Sequence, residues 1–204
     1  MLILTIHGLG GTSFSHYPMK KYLETYLKID NDDEKIDIQS FDYPSKTIDF
    51  TDIISQIEDY LDNYSWVNDS ETAILIGHSL GGIVCTNINH KRVKGVITVS
   101  TPHTGCNLAE IVKYYAPKLV SDMAFGKMYD VLTANANNST IPKIICITSS
   151  LFPLIKFDGR VHTNEMIHPQ AYKTMHLEYS GHLTQLFDVR LFRLIYDGVL
   201  ILLE

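Results

Sequence analysis

The chain is 204 residues long, 45% hydrophobic and 20% charged, with a formal net charge of −6. That length suits one domain with a sizeable core. An acidic balance without a basic cluster argues against a nucleic-acid surface, and no uninterrupted apolar run is long enough to span a bilayer.

The pattern alternates strand and helix. Leu2 to Ile6 reads as a buried first strand, too short and too lacking in basic flanks for a secretory leader. Tyr17 to Leu27 is helix-like, with Tyr22, Leu23, Tyr26 and Leu27 as its apolar positions. Asn31 to Glu34 is a charged turn, and Ile36 to Phe41 is a second strand ended by Tyr43-Pro44. Phe50 to Tyr64 carries Ile53, Ile54, Ile57, Tyr60, Leu61 and Tyr64 on one helical face. Thr72 to Ile76 is a third strand, followed by a glycine-rich turn and a helix to about Asn89. Val93 to Ser100 is a fourth strand. Asn107 to Asn135 is helical but irregular, broken near Pro117 and Gly126. Ile141 to Thr148 is a fifth strand, Thr174 to Tyr179 a short sixth, and Leu183 to Leu203 a long terminal helix.

Such alternation predicts a parallel sheet with helices on both faces. Near-continuous apolar strands such as Ile144-Ile145-Cys146-Ile147 fit a sheet covered on both sides. The expected architecture is a single α/β domain over residues 1–204. It has about six mostly parallel strands and a short helical, cap-like insertion at about 105–138. Cys85, Cys106 and Cys146 are odd in number and lack metal-ligand spacing, which favours inert thiols. With no leader in view, a reducing, cytoplasmic location is expected.

One segment carries chemistry. Gly77-His78-Ser79-Leu80-Gly81-Gly82 joins the third strand to a helix, and a G-x-S-x-G pattern in that setting is a nucleophile elbow. The turn is so tight that Ser79 must hold strained backbone angles, and its glycine neighbours keep strand and helix from colliding. A nucleophilic serine needs a base, an acid to orient the base, and donors for an oxyanion.

The base candidate is His182, in the loop between the last strand and the terminal helix. The acid candidate is Asp158, in Phe157-Asp158-Gly159-Arg160-Val161, after the fifth strand. Asp188 and Glu178 are weaker rivals, because Asp188 falls inside the expected terminal helix and Glu178 within the last strand. An Asp-Gly pair is also an ordinary turn signal. The chain order Ser79, Asp158, His182 is the order of the α/β-hydrolases. Oxyanion donors are expected from the backbone N–H of Leu80 and from the loop His7-Gly8-Leu9-Gly10-Gly11, with Leu9 favoured. That loop lacks the G-x-G-x-x-G spacing of a phosphate-binding turn.

These pieces resemble the α/β-hydrolase superfamily. They are most similar to its small lipases and lipase-like esterases, including the minimal bacterial lipases and the lipase class 2 and PGAP1-like groups. The matching segments are His7 to Gly11, Gly77 to Gly82, Ser100-Thr101-Pro102-His103-Thr104-Gly105, Asp158 to Val161, and Ser180-Gly181-His182. Larger members have two further strands before the first of these, so the chain resembles a trimmed core. The resemblance implies a serine hydrolase that cleaves carboxylic esters through an acyl-enzyme on Ser79, with no metal or organic cofactor. A thioesterase or an acyltransferase would use the same machinery, and a catalytically inactive binding module is the rival from another class.

The implied partner is a small-molecule or lipid ester with a hydrophobic acyl group, with transient contact at lipid surfaces. Phe14, Tyr17, His78, Leu108, Phe152 and Leu154 are candidate pocket walls near the C-terminal edge of the sheet, where open α/β sheets bind ligands. Leu108 and its helical neighbours are better explained by core packing than by a lid.

Overall fold

The structure, a computed structural model, describes residues 1–30, 36–104 and 142–204. The charged turn at Asn31 to Glu34 and the insertion at about 105–138, Leu108 included, lie outside the described residues. Six strands form one sheet: β1 (Leu2–Ile6), β2 (Asp37–Phe41), β3 (Ala73–His78), β4 (Val93–Val99), β5 (Lys143–Ser150) and β6 (Ala171–Glu178). Their order is β2-β1-β3-β4-β5-β6, and every neighbouring pair is parallel. Among the described residues, four α-helices cover it: α1 (Tyr17–Asp30), α2 (Phe50–Asn63), α3 (Leu80–Asn87) and α4 (Val189–Leu203). This is an α/β-hydrolase-like fold.

Side chains alternate across the pleat, so each strand feeds two cores. Leu2, Leu4 and Ile6 of β1 join Ala73 and Leu75 of β3 under α2 and α3. Ile3 joins Ile74, Ile76, Ile97 and Ile145 under α1 and α4. The α2 spacing of Phe50, Ile53, Ile57 and Leu61 puts all four into the first core. Each fully buried Leu or Ile contributes roughly 1.5–3 kcal/mol relative to leaving it in water. No helix among the described residues is long and apolar enough to cross a membrane.

Most boundaries shift by one to three residues from the sequence expectation, and two of the differences have a physical cause in the chain. The last strand begins at Ala171, three residues before the expected Thr174. It is an edge strand, and most of its residues are exposed, so it lacks an apolar run to mark its start. The expected helix from Leu183 is interrupted. Thr184–Phe187 is one 3-10 turn, and α4 starts only at Val189, with the Asp188 side chain accepting the Arg190 N–H at its cap. Local side-chain capping here outweighs the apolar periodicity that runs through both pieces.

The turn between β3 and α3 fixes how closely helix and sheet approach. Ser79 sits at φ 54, ψ −122, outside the usual regions for an L residue. A methyl at Gly81 would fall on the Ile6 carbonyl and within 2.6 Å of the His7 carbonyl oxygen. At Gly95 an added methyl would also be crowded, 2.6 Å from Leu202 Cδ1, but the obstacle there is the end of a side chain. Gly81→Ala is therefore expected to cost more than about 2 kcal/mol, and Gly95→Ala distinctly less. Urea denaturation of the two variants checks this, and equal losses would contradict the account.

Candidate active site

Parallel strands in register end at a common edge. Ile6 of β1 pairs with Gly77 of β3, so the loop after β1 runs beside the elbow. The segments after β5 and β6 reach the same edge, since Ser180 N–H donates to the Ser150 carbonyl at 2.9 Å. Ser79, Asp158 and His182, 103 and 24 residues apart from one another around His182, meet there.

Their geometry forms a series. His182 Nδ1 lies 2.7 Å from Asp158 Oδ2, and Nε2 lies 3.0 Å from Ser79 Oγ. A carboxylate only accepts, so Nδ1 carries the proton and Nε2 offers a lone pair to the serine hydroxyl. The loop holding the imidazole is tied down as well. His182 N–H donates to the Asp158 carbonyl at 2.9 Å, and His78 Nε2 donates to the His182 carbonyl at 2.9 Å.

Asp158 is buried. Its Oδ1 accepts the N–H groups of Arg160 and Val161 at 2.9 and 2.8 Å, and its Oδ2 also accepts the Ser149 hydroxyl at 3.2 Å. Burial by itself raises the pKa of the carboxyl. The His182 hydrogen bond and charge, with the Val161 and Arg160 amides, outweigh burial and hold it below its ordinary value. His78 is driven the other way from charge: burial first, then the neighbouring His182, keeps it neutral by lowering its pKa. The rival acids lie elsewhere. Asp188 caps α4 and pairs with Arg190 at 2.6 Å, and Glu178 is exposed on β6.

Leu9 and Leu80 border the cavity that holds the serine. In the loop after β1, Gly11 N–H closes a turn onto the Gly8 carbonyl at 3.0 Å, and Gly10, at φ 71, donates to Ser45 Oγ at 2.9 Å. Leu9 lies between Gly8 and Gly10. Leu80, the first residue of α3, has no preceding turn to accept its N–H. Both residues line a cavity of about 300 Å³ around Ser79.

No functionally curated protein matches the chain by sequence. Solved structures do resemble it. The lin2722 product of Listeria innocua superposes with a TM-score of 0.66 at 15% identity, covering 96% of this chain and 92% of its own. Est1E from Butyrivibrio proteoclasticus gives 0.65 at 13%, covering 99% and 88%. An esterase from Pyrobaculum calidifontis gives 0.60 at 16%, covering 98% and 75%. At such identities these likenesses establish the fold. A family model, the PGAP1-like alpha/beta domain, matches residues 18–160. The chain belongs to the PGAP1-like alpha/beta-domain family. The matched stretch includes Ser79 and Asp158 and ends before His182.

Around this family core the cavity wall differs from the sequence expectation. His78 lines it. Phe14, Tyr17, Phe152 and Leu154 do not; all four are exposed, Leu154 almost completely at 96%. The apolar lining comes from Leu9, Leu80, Pro102, Val161, Leu183 and Leu186, with Arg160 and Glu165 beside them. Apolar character in a loop does not say which way a side chain faces. Adjacency says more: Val161 follows Asp158 by three residues, and Leu183 follows His182 directly.

His103 is a fastener behind the site. Its N–H donates to the Glu165 carbonyl at 2.7 Å, and its ring meets His168 edge-on. Burial, then His168, lowers its pKa to about 3, so the ring is neutral. Among the described residues, no group of three or more His, Cys, Asp or Glu is disposed to hold a metal ion.

The depressed Asp158 carboxyl has a consequence for stability. Its folded pKa lies below its unfolded one, so its contribution is present above the ordinary 3.8 and is lost as pH falls through the folded value. Wild type is therefore expected to lose stability on acidification below 3.8, and Asp158→Asn to lose less over that interval. Denaturation midpoints across that range test it; parallel losses would contradict it.

Proposed function

We propose that this protein is a serine hydrolase cleaving carboxylic esters through an acyl-enzyme on Ser79. One observation carries the reading: the unbroken hydrogen-bonded series Ser79, His182, Asp158 opens into a cavity that Leu9 and Leu80 also line. Two of the structurally similar proteins are named for ester chemistry or a bound acid: the Pyrobaculum calidifontis esterase, and Est1E, solved with ferulic acid. Those names describe those proteins, and ester chemistry is what a Ser79–His182–Asp158 series would perform.

In this mechanism His182 Nε2 takes the Ser79 proton as Oγ attacks the ester carbonyl carbon. The carbonyl oxygen becomes an oxyanion held by the Leu9 and Leu80 N–H groups. Asp158 steadies the imidazolium without taking its proton. The carbon–oxygen bond to the alcohol breaks, His182 protonates the departing alkoxide, and the acyl group stays on Ser79. Water then enters, gives its proton to His182 and attacks the acyl carbon; the carboxylic acid leaves as the proton returns to Ser79. The apolar lining of Leu80, Pro102, Val161, Leu183 and Leu186 suits a hydrophobic acyl group.

Ser79→Ala is expected to abolish both fluorophosphonate labelling and hydrolysis of p-nitrophenyl esters. Asp158→Asn should cut turnover roughly 10³–10⁴-fold by losing the correct imidazole tautomer, while Asp188→Asn leaves it nearly unchanged. A folded wild-type sample that neither labels nor turns over would falsify the reading. An Asp188→Asn loss matching that of Asp158→Asn would overturn the choice of acid.

A further inference from the structure

Behind the Ser79–His182–Asp158 series lies a set of buried polar groups that the mechanism does not use. Ser100, Ser149 and Gln185 are all fully buried, at 0% exposure. They belong to three different segments: the end of β4, the end of β5, and the 3-10 turn after His182. Buried hydroxyl and amide groups are costly unless every donor is placed, and here the placement is determined.

Gln185 Nε2 lies 2.8 Å from the His182 carbonyl and 2.8 Å from Ser100 Oγ. A carbonyl only accepts, so the atom facing it is the amide nitrogen, which fixes the orientation of the Gln185 amide. Ser100 Oγ lies 2.6 Å from Ser149 Oγ, and Ser149 Oγ lies 3.2 Å from Asp158 Oδ2. Each hydroxyl has one proton. The buried carboxylate is the strongest acceptor within reach, so the Ser149 proton points to Asp158. The Ser100 proton then points to Ser149, and Ser100 accepts from Gln185. Ser100 also approaches Gln185 Oε1 at 3.0 Å, but its single proton is already directed at Ser149.

A second observation is independent of this donor count. Ser100 holds φ 46, in the left-handed region, while its N–H still donates to the Ile147 carbonyl at 2.9 Å. A non-glycine residue kept in that region carries strain that its surroundings must offset, and such strain gathers at functional sites.

We infer that Gln185, Ser100 and Ser149 form a one-way hydrogen-bond chain that positions the proposed base and acid together. Gln185 is its hinge. One amide nitrogen holds the main chain of His182 and, through two hydroxyls, the carboxylate that orients the same imidazole. The three are positioning residues and touch neither Ser79 nor the ester. The inference rests on the serine hydrolase reading above.

The test uses Ser100→Gly and Ser149→Ala in the full chain. Glycine tolerates a positive φ, so Ser100→Gly deletes the hydroxyl without adding backbone strain, and kcat is compared at a temperature where the variant is fully folded. Both variants should lower kcat by about tenfold, the scale of one hydrogen bond to a charged group, with KM unchanged. In an Asp158→Asn background the carboxylate charge is gone, and Ser100→Gly should then change kcat by less than about twofold. The resonance of the His182 Nδ1 proton should shift in both single variants. An unchanged kcat in Ser100→Gly, or an equal loss with and without Asp158, would overturn the inference. If wild type turns over no ester, the ester reading fails, and the proton resonance alone decides; an unmoved resonance overturns the chain.

Discussion

The approach of Gly81 to the backbone of β1 is the constraint on which the rest of the site depends. With no side chain at Gly81, the start of α3 lies against the Ile6 and His7 carbonyls. β1 and β3 are adjacent and in register up to Ile6 and Gly77. The loop leaving β1 and the helix leaving β3 therefore begin side by side. Leu9 and Leu80 reach one cavity as a result, although 71 positions separate them in the numbering. Pushing α3 away by the width of a methyl would part those two residues before any side chain moved. The strained angles at Ser79 are the other side of this fit, because a turn this short cannot be made with ordinary ones.

Burying Asp158 opposes folding, and the surroundings show how the cost is met. An ionised carboxylate withdrawn from water costs several kcal/mol even after relaxation. Against this stand two backbone N–H groups, one hydroxyl and the imidazole, all within 3.2 Å. Hydrogen bonds to a charged group contribute about 1.5–3 kcal/mol each, so the sum is comparable to the penalty. The direction of the carboxyl's shift says that the favourable side prevails. The Asp-Gly turn supplies half of these donors. Gly159 at φ 97 bends the chain so that the amides of Arg160 and Val161 point back at Asp158. A residue that reads as ordinary turn chemistry thus builds its own anion site within three positions.

Much of this was legible in the sequence, for identifiable reasons. Strands buried on both faces announce themselves as apolar runs, and β1 at Leu2–Ile6 has the bounds expected of it. The glycines of the elbow are legible because the backbone contacts they permit tolerate nothing else. The edge strand β6 starts early because an edge exposes its side chains and carries no such run. The pocket wall is hard to read from sequence for a related reason. Phe14 and Leu154 are apolar but exposed, whereas Pro102 and Leu186 line the cavity around Ser79, and apolar character alone does not tell the two pairs apart. The chain through Ser100, Ser149 and Gln185 was invisible, since three polar residues from distant segments have no shared spacing to reveal them.

The break before α4 follows from the needs of His182. In a helix starting at Leu183, the His182 carbonyl would be the first acceptor of the intrahelical ladder. Here it instead receives side-chain donors from His78 on β3 and from Gln185. A 3-10 turn makes this possible, because its tighter winding carries Gln185 inward beneath His182. The helix proper then restarts with its own cap at Asp188, where the ion pair with Arg190 replaces the continuity that was lost. From there Leu191, Phe192, Ile195 and Val199 bind α4 to the sheet. The apolar helix and the imidazole are thereby held by separate sets of contacts. Repacking α4 against the sheet can change stability without turning the His182 ring, whereas a single polar change at Gln185 acts on the main chain that carries the ring.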